Sequence, residues 1–239
     1  GDGQRVLDEN GQPVTQQVTD QTQAAMVTLD SDGRLRAVVG GLDEKEGSRV
    51  FNRGTDAVRQ VGSTMKPIGA YALALAQDDI HWSTLFLDDY VRMEEDEKTG
   101  EVKPWPANVT QVYTQKEITV ADALAESVNT VAVRVGEVAG IRNIYNFVTQ
   151  QLGITTFVPQ DVDAGPMVLG SSTYGVTPYE LAAAYMMFGS GGIYTTPHCY
   201  ESVQTGYGKI LLEPQVESRR VLDEDTAYVM NRLLRGVME

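Results

Sequence analysis

The sequence predicts an α+β chain, a helical region set beside an antiparallel sheet. Three observations carry that expectation. A Gly-containing turn, Asp30-Ser31-Asp32-Gly33, joins two β-prone runs at residues 23–29 and 34–41 into a hairpin. Apolar stretches of helical length follow, the first at residues 63–78. Two further strand candidates, Ile193-Tyr194-Thr195 and Ile210-Leu211-Leu212, are short and bounded by turn residues.

Element by element, residues 1–20 are polar and turn-rich and read as an N-terminal tail or lead-in strand, with one domain over residues 21–239. After the hairpin, residues 42–60 read as a charged loop. The stretch 63–78 places Met65, Ile68, Ala70, Tyr71, Leu73 and Leu75 around nearly the whole helix circumference, the mark of a helix central to a core. Residues 86–117 are acidic and read as irregular. Helices are expected at 119–127, from Thr130 to Val138, and at 141–151, 178–189 and 223–236. Thr177-Pro178 and Asp223 stand as cap-like openings of the last two.

Composition removes several function classes. Lys plus Arg is 19 and Asp plus Glu is 33, a net charge of −14. A chain so acidic lacks the basic face that nucleic acid or anionic lipid requires. The single cysteine, Cys199, excludes an internal disulfide and a Cys-rich zinc site, and the two histidines, His81 and His198, form no metal-ligand spacing. No cofactor is implied. No apolar run reaches the length of a membrane span. Any membrane attachment is expected through a segment absent from this chain. The glycines around Ser190 lack the Lys-Ser/Thr of a phosphate loop, and the sequon Asn108-Val109-Thr110 carries no weight.

The chemistry concentrates in Gly62-Ser63-Thr64-Met65-Lys66-Pro67. Residues three apart share a helix face, so Ser63 and Lys66 would present hydroxyl and amine to one cavity. The helix N-terminus favours negative charge developing at Ser63 and disfavours a proton on Lys66. An ordinary lysine pKa near 10.4 must fall to about 7–8 for a useful general base, and burial against apolar helix faces can supply that shift. The plain alternative is a capping Ser with a solvated Lys one turn on. A second group, Ser127-Val128-Asn129, lies where two helical stretches meet. Its hydroxyl could relay a proton and its carboxamide could hold a carbonyl, or both could be helix caps.

Taken together, these segments resemble the transpeptidase domain of penicillin-binding proteins of the bifunctional, high-molecular-mass (class A) kind. The likeness extends over about residues 20–239 through Phe51-Asn52-Arg53, Trp105-Pro106-Ala107-Asn108, Ala123-Leu124-Ala125-Glu126-Ser127-Val128-Asn129, Leu169-Gly170-Ser171 and Gly175-Val176-Thr177-Pro178-Tyr179-Glu180-Leu181-Ala182. The family's motifs are Ser-x-x-Lys, Ser-Asp-Asn and Lys-Thr-Gly; here the middle residue of the second is Val128. The resemblance implies a penicillin-binding-protein/serine β-lactamase-like fold. Ser63 would be the nucleophile, Lys66 the base, Ser127 the proton shuttle and Asn129 the ligand of a substrate carbonyl. Trp105 and Asn108 would line the substrate groove, although Trp105 could equally anchor its loop. The implied reaction cross-links peptidoglycan stem peptides by acyl transfer from a D-Ala-D-Ala donor, with β-lactams trapping Ser63. The location would be extracytoplasmic, at the bacterial surface.

The third motif is expected beyond Glu239. Lys98-Thr99-Gly100 precedes Ser127 and sits among Glu94, Glu95, Asp96, Glu97 and Glu101, where a substrate carboxylate would be repelled. A chain truncated before that motif would lose a second oxyanion-hole amide, worth about 10²–10³ in rate, so weak activity or none is expected of this piece. Two other functions stay open. A serine hydrolase, either D,D-carboxypeptidase or β-lactamase, is one, although no Glu-x-x-Leu-Asn follows Ser127 to supply a deacylation base. A non-catalytic penicillin-binding sensor domain is the other.

Overall fold

A computed structural model describes residues 22–238 except 43, 46, 97 and 98. The expected tail at residues 1–20 lies outside the described residues. The hairpin forms as read: β1 (Met26–Leu29) pairs antiparallel with β2 (Leu35–Val39), Met26 opposite Val39, with an irregularity after Thr28. Gly33 closes its turn at φ +80°, a left-handed conformation that favours glycine.

The stretch 63–78 is helical but not one uniform helix. A tight 3₁₀ turn, Gly62–Thr64, leads through Met65 and Lys66 into a wide π turn, Pro67–Tyr71, and then α1 (Ala72–Ala76). Pro67 carries no N–H and so cannot sustain regular bonding through the first turns. This segment is the centre of the core: Met65, Ile68, Ala70, Tyr71, Ala72 and Ala74 are all fully buried. Gly69 packs its bare Cα on the Met167 carbonyl, where a Cβ would collide.

Residues 86–117 hold more order than the sequence suggested. β3 (Leu85–Leu87) pairs with β6 (Glu117–Thr119), and between them β4 (Arg92–Glu95) pairs with β5 (Val102–Trp105). These are isolated two-stranded ribbons, mostly exposed, so they need no alternating apolar pattern. Pro104 is tolerated in β5 because the strand has a free edge. The Lys-Thr-Gly decoy falls at the turn of the second ribbon; Lys98 is outside the described residues, and Thr99 and Gly100 direct N–H bonds to Asp96.

The helical layer follows: α2 (Val120–Ala125), α3 (Asn129–Ala139), α4 (Ile141–Asn146) running into a π turn at Phe147–Gln151, α5 (Ala164–Leu169), α6 (Pro178–Gly189) and, after the ribbons, α7 (Glu224–Gly236). Thr177 and Glu180 form a reciprocal capping box at the start of α6, whereas Asp223 begins α7 without a side-chain cap bond. α5 was not expected. Its signals were Asp163, whose carboxylate accepts from Gly165 N–H at 3.2 Å, and Gly170 closing the helix at φ +72°. β7 (Ile193–Thr195) pairs with β10 (Ser218–Arg220), and β8 (Val203–Gln204) with β9 (Ile210–Leu212). The described strands thus make five separate antiparallel ribbons. α3 crosses the core through Val131, Ala132, Val133 and Val135, all fully buried, each a contribution of about 1.5–3 kcal/mol for the valines.

Candidate active site

Ser63 sits on the 3₁₀ turn, exposed, one turn ahead of Lys66. Its own N–H lies in the first turn, where helical N–H groups lack an acceptor within the helix. Three tethers fix this turn. Arg59 and Val176 exchange N–H···O bonds of 3.2 and 2.8 Å, Gln60 Nε2 donates to Ser172 O at 3.2 Å, and the Tyr185 hydroxyl donates to Thr64 O at 2.7 Å. Gly170 lies against Gly62 so closely that a Cβ there would fall on the Gly62 backbone. The 170–176 loop is itself held by Asp161, 1% exposed, which accepts from Thr173 N–H and Oγ1 at 2.8 Å each.

Lys66 is 1% exposed, so it is neither solvated nor a surface partner to a capping Ser. Its ammonium donates to Ser127 O at 2.7 Å, Ser127 Oγ at 2.9 Å and Asn129 Oδ1 at 2.6 Å. All three hydrogens are used, and no carboxylate pairs with it among the described residues. Burial lowers its pKa to about 8. Loss of hydration without a compensating anion is the physical reason, because neutral acceptors recover only part of what water gave the charge.

Ser127 owes its place to the way α2 ends. The Ser127 N–H donates to Leu124 O at 3.1 Å and the Val128 N–H to Ala123 O at 2.8 Å, the paired bonds of a Schellman stop. That motif places its first residue beyond the cap in the left-handed region, and Ser127 has φ +56°. Glycine is the usual occupant. Serine here accepts a steric cost of about 1–2 kcal/mol and puts a hydroxyl on the lysine. α3 then restarts one residue later, so Ser127 and Asn129 face Lys66 from the break between two helices.

Asn129 is oriented from outside its helix. Its Nδ2 donates to Ala107 O at 2.7 Å, leaving Oδ1 for Lys66. Asn108 departs from the expected role in the groove. It is 6% exposed, its Oδ1 accepts from the N–H groups of Asn129 (3.0 Å) and Thr130 (3.3 Å), and its Nδ2 donates to Asp88 (2.7 Å) and Val112 O (3.1 Å). No hydrogen-bonding capacity is left over for a substrate. Trp105 is half-buried with the Arg92 guanidinium 4.1 Å from its ring centroid, and Arg92 in turn pairs with Glu94 and Asp163. One face of the ring is therefore covered, as a loop anchor's would be.

The structure brings Lys66, Ser127 and Asn129 into direct contact, with Ser63 one turn from Lys66. Sequence reasoning did not single out Asp88, which is 4% exposed and accepts from Asn108, Thr130 and Thr114. Burial works against its charge, yet these hydrogen bonds hold its carboxyl below the usual range. Nothing in the acidic run around it distinguishes Asp88 until the fold brings these donors together.

The chain is similar to known proteins along almost its whole length. The penicillin binding protein transpeptidase domain family matches residues 23–239. Penicillin-binding protein 1A of Neisseria flavescens is 32% identical over 224 residues, covering 90% of this chain and 26% of the relative. Penicillin-binding protein 1A of Clostridium acetobutylicum is 30% identical over 243 residues, covering 98% of this chain and 30% of the relative. The chain thus spans less than a third of the length of these curated relatives. Among solved structures, penicillin-binding protein 1A from Haemophilus influenzae superposes with a TM-score of 0.72 at 24% identity, covering 90% of this chain and 35% of that one. Penicillin-binding protein A from M. tuberculosis, solved as an imipenem acyl-enzyme complex, gives 0.70 at 16% identity, covering 90% and 57%. The structural likenesses show the fold, and the match along almost the whole sequence shows that the chain belongs to the penicillin-binding protein transpeptidase domain family.

Proposed function

We propose that this chain carries the acyl-transfer site of a D,D-transpeptidase that cross-links peptidoglycan stem peptides and is trapped by β-lactams. The observation that carries the reading is the buried Lys66 held by Ser127 and Asn129 one turn from an exposed Ser63. With its pKa near 8, about a tenth of Lys66 is neutral at pH 7. Neutral Lys66 has a lone pair to take the Ser63 proton as Ser63 Oγ attacks the carbonyl of the penultimate D-Ala. The carbonyl oxygen gains negative charge close to the first-turn N–H of Ser63. As the C–N bond breaks, Lys66 returns the proton through Ser127 Oγ, and D-Ala leaves as the neutral amine. A stem-peptide amine then attacks the Ser63 ester by the reverse route. The Asn129 Nδ2 hydrogen not given to Ala107 O is the donor for the substrate's peptide carbonyl. A β-lactam follows the first half, with its ring amide as the broken bond. The substrate places the site outside the cytoplasm, and among the described residues no helix is long and apolar enough to cross a membrane.

The test is overnight incubation with a fluorescent penicillin, followed by mass mapping of the adduct. The expected result is one adduct, on Ser63, absent from Ser63→Ala, with an acyl-enzyme lifetime of hours. Release within seconds would make the protein a β-lactamase-type hydrolase. An adduct elsewhere overturns the reading, and so does the lack of any adduct both on this chain and on a longer one carrying the Lys-Thr-Gly strand, which leaves a non-catalytic domain.

A further inference from the structure

We propose that Asn108, anchored by Asp88, is a positioning residue for the Ser63 reaction, capping α3 from outside the helix and thereby holding the Asn129 side chain on Lys66. The proposal rests on the acyl-transfer reading above. α3 begins without a cap of its own, because its N-cap residue, Val128, has no side-chain acceptor. Its first N–H groups, on Asn129 and Thr130, would be left unpaired beside a buried lysine. Asn108 Oδ1 accepts both. The amide cannot turn over without loss, since Nδ2 faces two acceptors, Asp88 Oδ1 and Val112 O.

Asp88 makes the arrangement rigid. Its Oδ1 also accepts from Thr130 Oγ1 at 2.6 Å, and its Oδ2 accepts from Thr114 N–H and Oγ1 at 3.0 and 2.8 Å. One buried carboxylate therefore ties three separate segments together, at 88, 108–114 and the first turn of α3. Its charge also suits a helix N-terminus. The residue before Asn108 completes the chain of contacts: the Ala107 carbonyl accepts from Asn129 Nδ2 at 2.7 Å, which turns Oδ1 toward the Lys66 ammonium at 2.6 Å. The Asn108 side chain hydrogen-bonds Asp88, Val112, Asn129 and Thr130 and none of Ser63, Lys66 or Ser127, so its influence passes through Asn129. If the 107–108 backbone shifts, the Asn129 amide loses the contact that decides its orientation, and Lys66 loses one of three acceptors.

Two variants and two readouts test this. Asn108→Ala removes the cap. The exchange Asp88→Asn with Asn108→Asp keeps one negative charge, keeps an acceptor for the α3 N–H groups, and restores the bond between the two side chains in the reverse sense, but sets a carboxylate oxygen against Val112 O in place of the amide donor. The first readout is titration of Lys66 by ¹³C NMR at Cε, which is tractable because the chain has six lysines. The second is the rate of Ser63 acylation at saturating fluorescent penicillin. In Asn108→Ala, Lys66 should titrate at lower pH than in the wild type, because its charged form has lost an acceptor. Acylation should fall about tenfold or more, the scale of a misplaced reacting group. The exchanged pair should return both toward the wild type. An unaltered Lys66 titration in Asn108→Ala overturns the proposal, and so does an exchanged pair whose Lys66 titration is no nearer the wild type than that of Asn108→Ala. Where Asn108→Ala fails to fold, Asn108→Ser, whose hydroxyl is too short to serve both N–H groups, takes its place. Where the wild-type chain takes no label, the acylation readout moves to a longer chain carrying the Lys-Thr-Gly strand; lack of label there defeats the Ser63 reading, and an unaltered lysine titration defeats the hold of Asn108 on Asn129 and Lys66.

Discussion

Replacing Ser127 by glycine and, separately, by alanine separates the cost of its backbone from the value of its hydroxyl. Both variants lose the bond from the Lys66 ammonium to Ser127 Oγ, a charge-assisted contact worth about 1.5–3 kcal/mol, so that loss cancels between them. What remains is the backbone at φ +56°. A left-handed conformation costs an L-residue about 1–2 kcal/mol relative to glycine. Glycine gives back about 0.4–1 kcal/mol through the greater freedom of its unfolded chain. Taken at their midpoints, these leave Ser127→Gly about 0.8 kcal/mol more stable than Ser127→Ala. For a chain of this length 1 kcal/mol moves the melting temperature about 2–4 °C, so the glycine variant should melt about 1–4 °C above the alanine variant. Penicillin acylation should fall by about 10²-fold or more in both, since neither can relay a proton. Parallel thermal melts by circular dichroism and labelling rates supply the comparison. An alanine variant as stable as the glycine variant would refute the account of how α2 ends.

The remaining predictions concern Lys66 and the support of Ser63. Burial lowers Lys66 from 10.5 to about 8, so between those pH values the unfolded chain holds a proton that the folded chain does not. Stability should therefore rise with pH in that window, by about 3 kcal/mol in the wild type relative to Lys66→Met. Below pH 8 both states are protonated and the folded state carries the whole penalty; chemical denaturation at several pH values checks this, and a difference between the two proteins that does not vary with pH would contradict it. The acylation rate should climb with pH, reach half its maximum near 8 and level off above it, as the neutral amine accumulates. Gly170→Ala should destabilise the protein by about 2 kcal/mol or more and slow acylation further than its stability loss explains, because the new Cβ meets the Gly62 backbone beside Ser63. Acylation at the wild-type rate in that variant would show that the contact does not position the nucleophile.

The chain by itself determined the elements whose signals are local. The Asp30–Gly33 turn, the capping pair Thr177 and Glu180, and the apolar run after Ser63 each specify their structure from neighbouring residues, and the structure follows them. The spacing of Ser63 and Lys66 is likewise local, one helical turn. The ribbons within 85–119 were illegible because their pairing is set between segments and their faces are exposed, so no burial pattern marks them. Tertiary structure alone decided that Lys66 is buried, that Ser127 and Asn129 reach it across 61 and 63 positions of sequence, and that Asn108 serves a helix rather than a groove. Each of those outcomes depends on the electrostatics of a shared interior. A side chain's desolvation and its set of donors and acceptors come into being only when distant segments exclude water together.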